Sequence, residues 1–207
     1  WQTSQNNWYY FNNGQNATNW QYINNNWYYL NPQNSAMETG LQTINNSKYL
    51  LNPQHDGTYG AMQTGWQSVN NNWYYFANNG AAMNGWQWLG NNWYYFDPSS
   101  SIMQSGLKQI NNHGYYLNDQ HDGTYGAMKN GWQRINGRWY GFGGANDGAA
   151  YTGWHLINNN WYYFNQDGEA RTGWQTINGH RYYFDPTNAW ALKNWQVLNN
   201  SWYYFDT

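Results

Sequence analysis

One unit recurs along the whole chain, and that repetition restricts the fold more than any other feature. A Gly-Trp-like step falls at Trp1, Trp20, Leu41, Trp66, Trp86, Leu107, Trp132, Trp154, Trp174 and Trp195, and an aromatic cluster follows each at constant offset. Trp66-Gln-Ser-Val-Asn-Asn-Asn-Trp73-Tyr74-Tyr75-Phe76 is typical. Its centre is Asn-Asn, replaced by Asn-Gly at Asn136-Gly137 and Asn178-Gly179. Such pairs tolerate the two positive φ angles of a type I′ turn, so each unit predicts a β-hairpin. The expected class is all-β, with about ten hairpins.

Pairing around Asn70-Asn71 sets Val69 opposite Asn72, Ser68 opposite Trp73, Gln67 opposite Tyr74 and Trp66 opposite Tyr75. Strand alternation then puts Val69, Tyr74 and Phe76 on one face and Trp66, Trp73 and Tyr75 on the other. The first face is nearly constant. Its aliphatic position is Ile23, Ile44, Val69, Leu89, Ile110, Ile135, Ile157, Ile177 or Leu198, with Ser4 the exception, and its partners, a Tyr and a Phe or Leu, run unbroken from Tyr9 and Phe11 through Tyr28 and Leu30 and Tyr49 and Leu51 to Tyr203 and Phe205. This is the expected core.

The second face varies, as a functional surface on a constant scaffold does. It carries Trp1, Trp8 and Tyr10; Trp20, Trp27 and Tyr29; Trp66, Trp73 and Tyr75; Trp86, Trp93 and Tyr95; Trp154, Trp161 and Tyr163; and Trp195, Trp202 and Tyr204. Two units have lost the set, with Leu41, Lys48 and Leu50 in one and Leu107, Gly114 and Tyr116 in the other. Two more are intermediate: Gly141 accompanies Trp132 and Trp139, and Arg181 accompanies Trp174 and Tyr183. Trp88 falls on the same face by alternation, whereas Trp190 lies in a connector and is expected to pack locally.

The steps from Trp1 to Trp132 are 19, 21, 25, 20, 21 and 25 residues apart, and the string QHDGTYGAM occurs at both Gln54–Met62 and Gln120–Met128. Three units thus repeat as a block, which predicts a solenoid with three hairpins per superhelical turn. A lone hairpin is marginal in water, so each must bury its core face on its neighbours. One continuous elongated domain over residues 1–207 is expected, and a chain that opens on the first residue of a repeat reads as a segment of a longer secreted protein.

Composition removes other classes. Eight Lys plus Arg against ten Asp plus Glu give a net charge of -2, too little basic surface for a nucleic-acid partner. Apolar runs such as Trp73 to Ala77 are far shorter than a bilayer span, so no membrane insertion is expected. A mean hydropathy of -1.05 beside 17 Trp and 22 Tyr reflects Asn, Gln, Ser, Thr and Gly rather than charge, which separates the chain from charged disordered segments. His55-Asp56 and His121-Asp122 look like catalytic pairs, but each sits in a Gly-rich connector with no nucleophile or second acid recurring beside it. The repeated loop reads as a spacer, no metal or cofactor is expected, and no enzyme is expected.

Two Trp and a Tyr on one hairpin, completed by residues of the next, make a concave aromatic surface. It suits a quaternary ammonium, held by cation–π attraction, or a sugar ring stacked on an indole with Asn and Gln bonding its hydroxyls.

The unit Gly-Trp-x5-6-Trp-Tyr-Tyr-Phe/Leu, followed by Ala-Met-x-Thr/Asn-Gly-Trp, resembles the choline-binding repeats of Gram-positive surface proteins and phage lysins, and the related glucan-binding repeats of glucansucrases. The resemblance covers the whole chain. It implies a left-handed superhelix of hairpins with ligand sites between consecutive hairpins, each an aromatic cage with a Met alongside. Met37, Met62, Met83, Met103 and Met128 stand before the next Gly-Trp or Gly-Leu step, while Tyr151, Arg171 and Leu192 replace Met from Trp132 onward, where stretches such as Phe164 to Gly179 read more like glucan-binding repeats. The resemblance implies a non-catalytic module at the bacterial cell surface that holds choline of teichoic acids. An α-glucan or other wall polysaccharide, and a structural or protein-binding array, remain alternatives. Pairing of two copies through a terminal hairpin also fits the resemblance.

Overall fold

The structure is a computed structural model that describes residues 1–206. Among these, every regular element is a strand, and no helix is long and apolar enough to cross a membrane. The strands pair antiparallel in separate two-stranded sheets. Contacts group the chain into two compact units, Trp1–Gln104 and Ser105–Thr207.

In the first unit the hairpins are Gln2–Ser4 with Asn7–Tyr9, Asn19–Ile23 with Asn26–Leu30, Gly40–Ile44 with Ser47–Leu51, Gly65–Val69 with Asn72–Phe76, and Gly85–Leu89 with Asn92–Phe96. A smaller one, Phe11–Asn12 with Gln15–Asn16, joins the first two and is not predicted by the repeat. The second unit holds Gly106–Ile110 with His113–Leu117, Gly131–Ile135 with Arg138–Phe142, Gly153–Ile157 with Asn160–Phe164, Gly173–Ile177 with His180–Phe184, and Asn194–Leu198 with Ser201–Phe205.

The expected register is the observed one: Val69 faces Asn72, Ser68 faces Trp73, Gln67 faces Tyr74 and Trp66 faces Tyr75. It follows from the turns, since Asn70 and Asn71 have φ of 50° and 62°, and Asn136 and Gly137 of 50° and 80°, as a type I′ turn requires. The Gly of the Gly-Trp step is also left-handed, as at Gly65 with φ 71°, and Asn19 and Asn194 replace it where Gly is absent. The residue after Trp fastens each connector to the strand it feeds. The Gln67 amide donates to the Thr64 carbonyl, and Gln21, Gln42 and Gln175 repeat the bond.

Burial separates the two faces as alternation requires. Leu30, Leu51, Phe76, Phe96, Leu117, Phe142, Phe164 and Phe184 are fully buried, whereas Trp66 and Trp73 are 37% and 38% exposed. Phe11, its counterpart in the first hairpin, is exposed, as is Tyr203 in the last, because each has a neighbour on one side only. Trp190 packs against the cluster of Tyr162, Phe164, Ala170 and Ala189, as expected of a connector residue.

Among the described residues no continuous ladder runs between hairpins. Single backbone bonds take its place: the Met37 N–H donates to the Trp8 carbonyl, Met62 to Trp27, Met103 to Trp73, Ala170 to Trp139 and Ala191 to Trp161. Glycines admit the connectors; a Cβ on Gly60, Gly80 or Gly148 would overlap the Met37, Met62 or Met128 side chain. Gly141, which by sequence replaces an aromatic, is a close-approach position, since its Cβ would meet the Phe164 and Tyr151 rings at 2.7 Å.

In the second unit, buried Tyr116 donates its hydroxyl to Asp119 at 2.7 Å. Burial first, and the Asp119 carboxylate second, push its pKa up to about 12. A folded-state value above the unfolded one of about 10 means that this contribution to stability is intact below pH 10 and is lost as pH rises through 12. Tyr116→Phe is expected to remove that loss, so its stability falls less steeply between pH 10 and 12 than the parent's when both are followed by urea unfolding.

Candidate ligand pockets

Each pocket starts from the first Trp of a hairpin. Trp1 lies 6.4 Å from Trp8 with the rings at 76°, and the same near-perpendicular pair recurs at Trp66 and Trp73, Trp132 and Trp139, Trp154 and Trp161, and Trp195 and Trp202, at 6.2 to 6.4 Å. Two indoles at a right angle make two walls.

The third expected residue of the set stays on the same hairpin, against the first Trp: Tyr10, Tyr29, Tyr75, Tyr95, Tyr163, Tyr183 and Tyr204 lie 5.1 to 5.3 Å from Trp1, Trp20, Trp66, Trp86, Trp154, Trp174 and Trp195. The next hairpin supplies a further aromatic. Tyr28 sits 5.0 Å from Trp1, Tyr49 4.9 Å from Trp20, Tyr94 4.9 Å from Trp66, Tyr162 4.8 Å from Trp132, Tyr182 4.8 Å from Trp154 and Tyr203 5.1 Å from Trp174. Alternation by itself assigns these tyrosines to the core alone. Tyr28, Tyr94 and Tyr162 are indeed buried, and desolvation raises their pKa, yet each of these core residues also meets the first Trp of the hairpin before it.

The Met position needs one correction. The residue that bridges its own second strand is Met37, Met62, Ala82, Met103, Met128, Ala150, Ala170 or Ala191, and the N–H of Met37, Met62, Ala82, Met103, Ala150, Ala170 and Ala191 bonds the hairpin before. Met83 stands one residue later, where its N–H bonds Tyr75 instead. Tyr151 and Leu192 share that later position, bonding Gly141 and Tyr183. Counting from the Gly shows the shift: Met62 precedes Gly65 by three residues and Met83 precedes Gly85 by two.

Two pockets show how the parts combine. One cavity of about 270 Å³ is lined by Trp1, Trp8, Tyr28 and Met37, together with His55, Asp56, Gly57 and Tyr59 from the QHDGTYGAM loop. The loop is thus more than the spacer that its sequence suggests, and its place on the pocket wall is invisible in the repeat because it comes from the next hairpin but one. Its shape is built in: Asp56 accepts from the Thr58 N–H at 2.8 Å, the Thr58 hydroxyl at 2.8 Å and Asn52 at 3.0 Å, and His55 stacks on Tyr59 at 3.9 Å. The second copy repeats this, with Asp122 bonded to Thr124 and Asn118 and His121 stacked on Tyr125. The Thr58 N–H above all holds the Asp56 carboxyl below the usual range, so it is an anion at neutral pH.

The second cavity, about 650 Å³, is lined by Trp154, Trp161 and Tyr182, with Ala191 where the first has Met37, and by His180, Arg181, Leu192, Lys193, Tyr204, Phe205 and Asp206. Elsewhere the second Trp turns to a local partner: Trp27 lies 5.2 Å from Tyr22, and Trp93 5.5 Å from Trp88, so Trp88 does join that aromatic face. In the Trp174 unit the Arg181 guanidinium covers the Trp174 ring at 4.4 Å, in place of an indole wall. Among the described residues no three His, Asp or Glu side chains converge as metal ligands.

A family model described as a choline-binding repeat matches residues 1–39, 38–83, 63–106, 129–171, 151–189 and 171–207. The chain belongs to the choline-binding repeat family. Solved structures agree with this choline-binding repeat chain in fold. Choline binding protein F from Streptococcus pneumoniae is 31% identical with a TM-score of 0.71, the match covering 89% of this chain and 61% of that one. CbpF in complex with ipratropium is 27% identical with a TM-score of 0.72, covering 94% and 73%. CbpJ from Streptococcus pneumoniae TIGR4 is 25% identical with a TM-score of 0.62, covering 99% and 90%. No curated protein sequence matches the chain.

Proposed function

We propose that the chain is a non-catalytic module that holds choline in aromatic pockets between successive hairpins, and so keeps a larger secreted protein on choline-bearing teichoic acid at a bacterial surface. The observation that carries this reading is the pocket of Trp1, Trp8, Tyr28 and Met37. Three ring systems and a thioether line a cavity of about 270 Å³, which has room for a trimethylammonium group, and each ring face adds roughly 0.5–2 kcal/mol of cation–π attraction. The Asp56 carboxylate at its wall adds a negative charge, which favours a cation over a neutral sugar. Single sites of this kind are weak, and retention comes from several engaging one polymer, a gain of roughly 100-fold or more over one site.

The test is equilibrium dialysis with labelled choline, with dextran run in parallel. Saturable uptake of several choline per chain is expected, and Trp8→Ala is expected to lower the number bound at a given concentration by about one, since losing a wall weakens that site roughly 3- to 30-fold. Saturable binding of dextran without choline uptake would move the chain to the glucan reading. Binding of neither would leave a structural or protein-binding array.

A further inference from the structure

A third cavity, of about 400 Å³, is walled by Thr152, Tyr163, Asn165, Gln166, Asp167 and Arg171, with no indole among the described residues that line it. One hairpin, Gly153–Ile157 with Asn160–Phe164, and the connectors on either side of it build the whole cavity, so it is not one of the aromatic pockets. Arg171 is unusual for its place. Its N–H bonds the Tyr163 carbonyl at 2.8 Å, as those of Glu38, Gln63, Gln104 and Lys129 bond their own hairpins. Those four side chains each make a hydrogen bond inside their own connector, to Asn31, Ala61, Ile102 and Thr124. The Arg171 guanidinium makes no hydrogen bond or ion pair among the described residues, and neither does the Asp167 carboxylate. Glu169, the other acid of this loop, is taken by Arg138 at 3.1 Å. The loop that carries Asp167 is fixed: the Asp167 and Glu169 N–H groups both donate to the Asn165 side-chain oxygen at 2.9 Å, and Gly168 donates to the Asn165 carbonyl at 3.1 Å.

We propose that this cavity binds a zwitterion with a primary ammonium and a carboxylate, the chemistry of an amino acid or of a short peptide with free ends. The carboxylate meets Arg171 and the ammonium meets Asp167. A simple anion is opposed by Asp167 and a simple cation by Arg171, whereas a dipolar ligand satisfies both charges at once. The planar guanidinium fork matches a carboxylate in two parallel bonds. The ammonium has further acceptors in the Gln166 side-chain oxygen and the Thr152 hydroxyl, and Tyr163 gives the cavity its one aromatic wall. A quaternary ammonium has no N–H to donate to these acceptors, so the site is distinct in chemistry from the aromatic pockets and stands independently of the function proposed for them.

The experiment follows the backbone amide signals of Gln166 and Asp167 and the Arg171 Nε–H signal by NMR while the intact chain is titrated at low salt with alanine and, separately, with alanyl-alanine. The two probes distinguish a free amino acid from a peptide as the source of the paired charges. At least one is expected to saturate all three signals at a concentration on the order of millimolar. Acetylating the amine or amidating the carboxylate of the tighter probe should raise its half-saturation roughly 3- to 10-fold. Arg171→Gln is expected to erase the difference between the amidated and the free probe, and Arg171→Lys to keep it. Asp167→Asn is expected to erase the difference between the acetylated and the free probe. Excess choline should leave half-saturation unchanged. Signals that respond to neither probe, or capped probes that bind as well as free ones, overturn the proposal. Displacement by choline overturns it too, because the ligand would then sit in an aromatic pocket.

Discussion

Phe184→Ala is expected to destabilise the chain by about 3–5 kcal/mol, because a fully buried aromatic in a close-packed interior loses both its transfer energy and the contacts around the cavity it leaves. Phe184 is the last residue of its hairpin, bridges Ala191 of the connector and lies 5.6 Å from the Trp154 ring, so it supports both the core and the floor under a pocket Trp. Val197→Ala is the control in the same unit; Val197 is 52% exposed, and its loss is expected to change stability by less than about 0.5 kcal/mol. Urea unfolding separates the two, with a midpoint for Phe184→Ala lowered by more than about 1 M. Similar midpoints for the two variants would mean that the Phe row is not the structural core.

Gly60→Val should be nearly as damaging for a different reason. Gly60 has φ of 82°, a conformation that costs a β-branched residue roughly 1–2 kcal/mol or more, and its Cβ would overlap the Met37 sulfur. Overpacking of that kind adds roughly 1–3 kcal/mol. Met37→Ala in the same chain relieves the overlap and leaves the backbone penalty, so the double variant is expected to recover part of the stability and not all of it. Full additivity of the two substitutions would show that Gly60 and Met37 do not meet. On the proposed function, choline binding at the Trp1 pocket should weaken in Gly60→Val as well, since the displaced Met37 is one of its walls.

These two positions differ in how openly the amino-acid sequence declares them. Phe184 is legible as core, because an aromatic that returns at fixed offset on one face of an alternating strand has one place to go. The turns are legible for the same local reason: Asn-Asn and Asn-Gly admit paired positive φ angles, and the turn then sets every cross-strand partner in the hairpin. Gly60 against Met37 is not legible. Their contact joins two connectors, and nothing in the local periodicity of either strand refers to the other.

The pocket divides along the same line. That Trp1 and Trp8, or Trp154 and Trp161, share one face follows from alternation within a hairpin. Which residues close the pocket does not follow, since Tyr28 is a core residue of its own hairpin and His55 and Asp56 arrive from a connector one hairpin further on. Met83 groups with Met62 by the composition of its connector, and the backbone bond to Tyr75 rather than to the preceding hairpin puts it one position away. Pairing inside a hairpin is governed by a run of adjacent main-chain bonds, each fixed by the one before it, so a short stretch of sequence settles it. Stacking of one hairpin on the next rests on single backbone bonds and on side-chain packing, whose partners are set by the shape of the assembled stack and therefore by the tertiary structure alone.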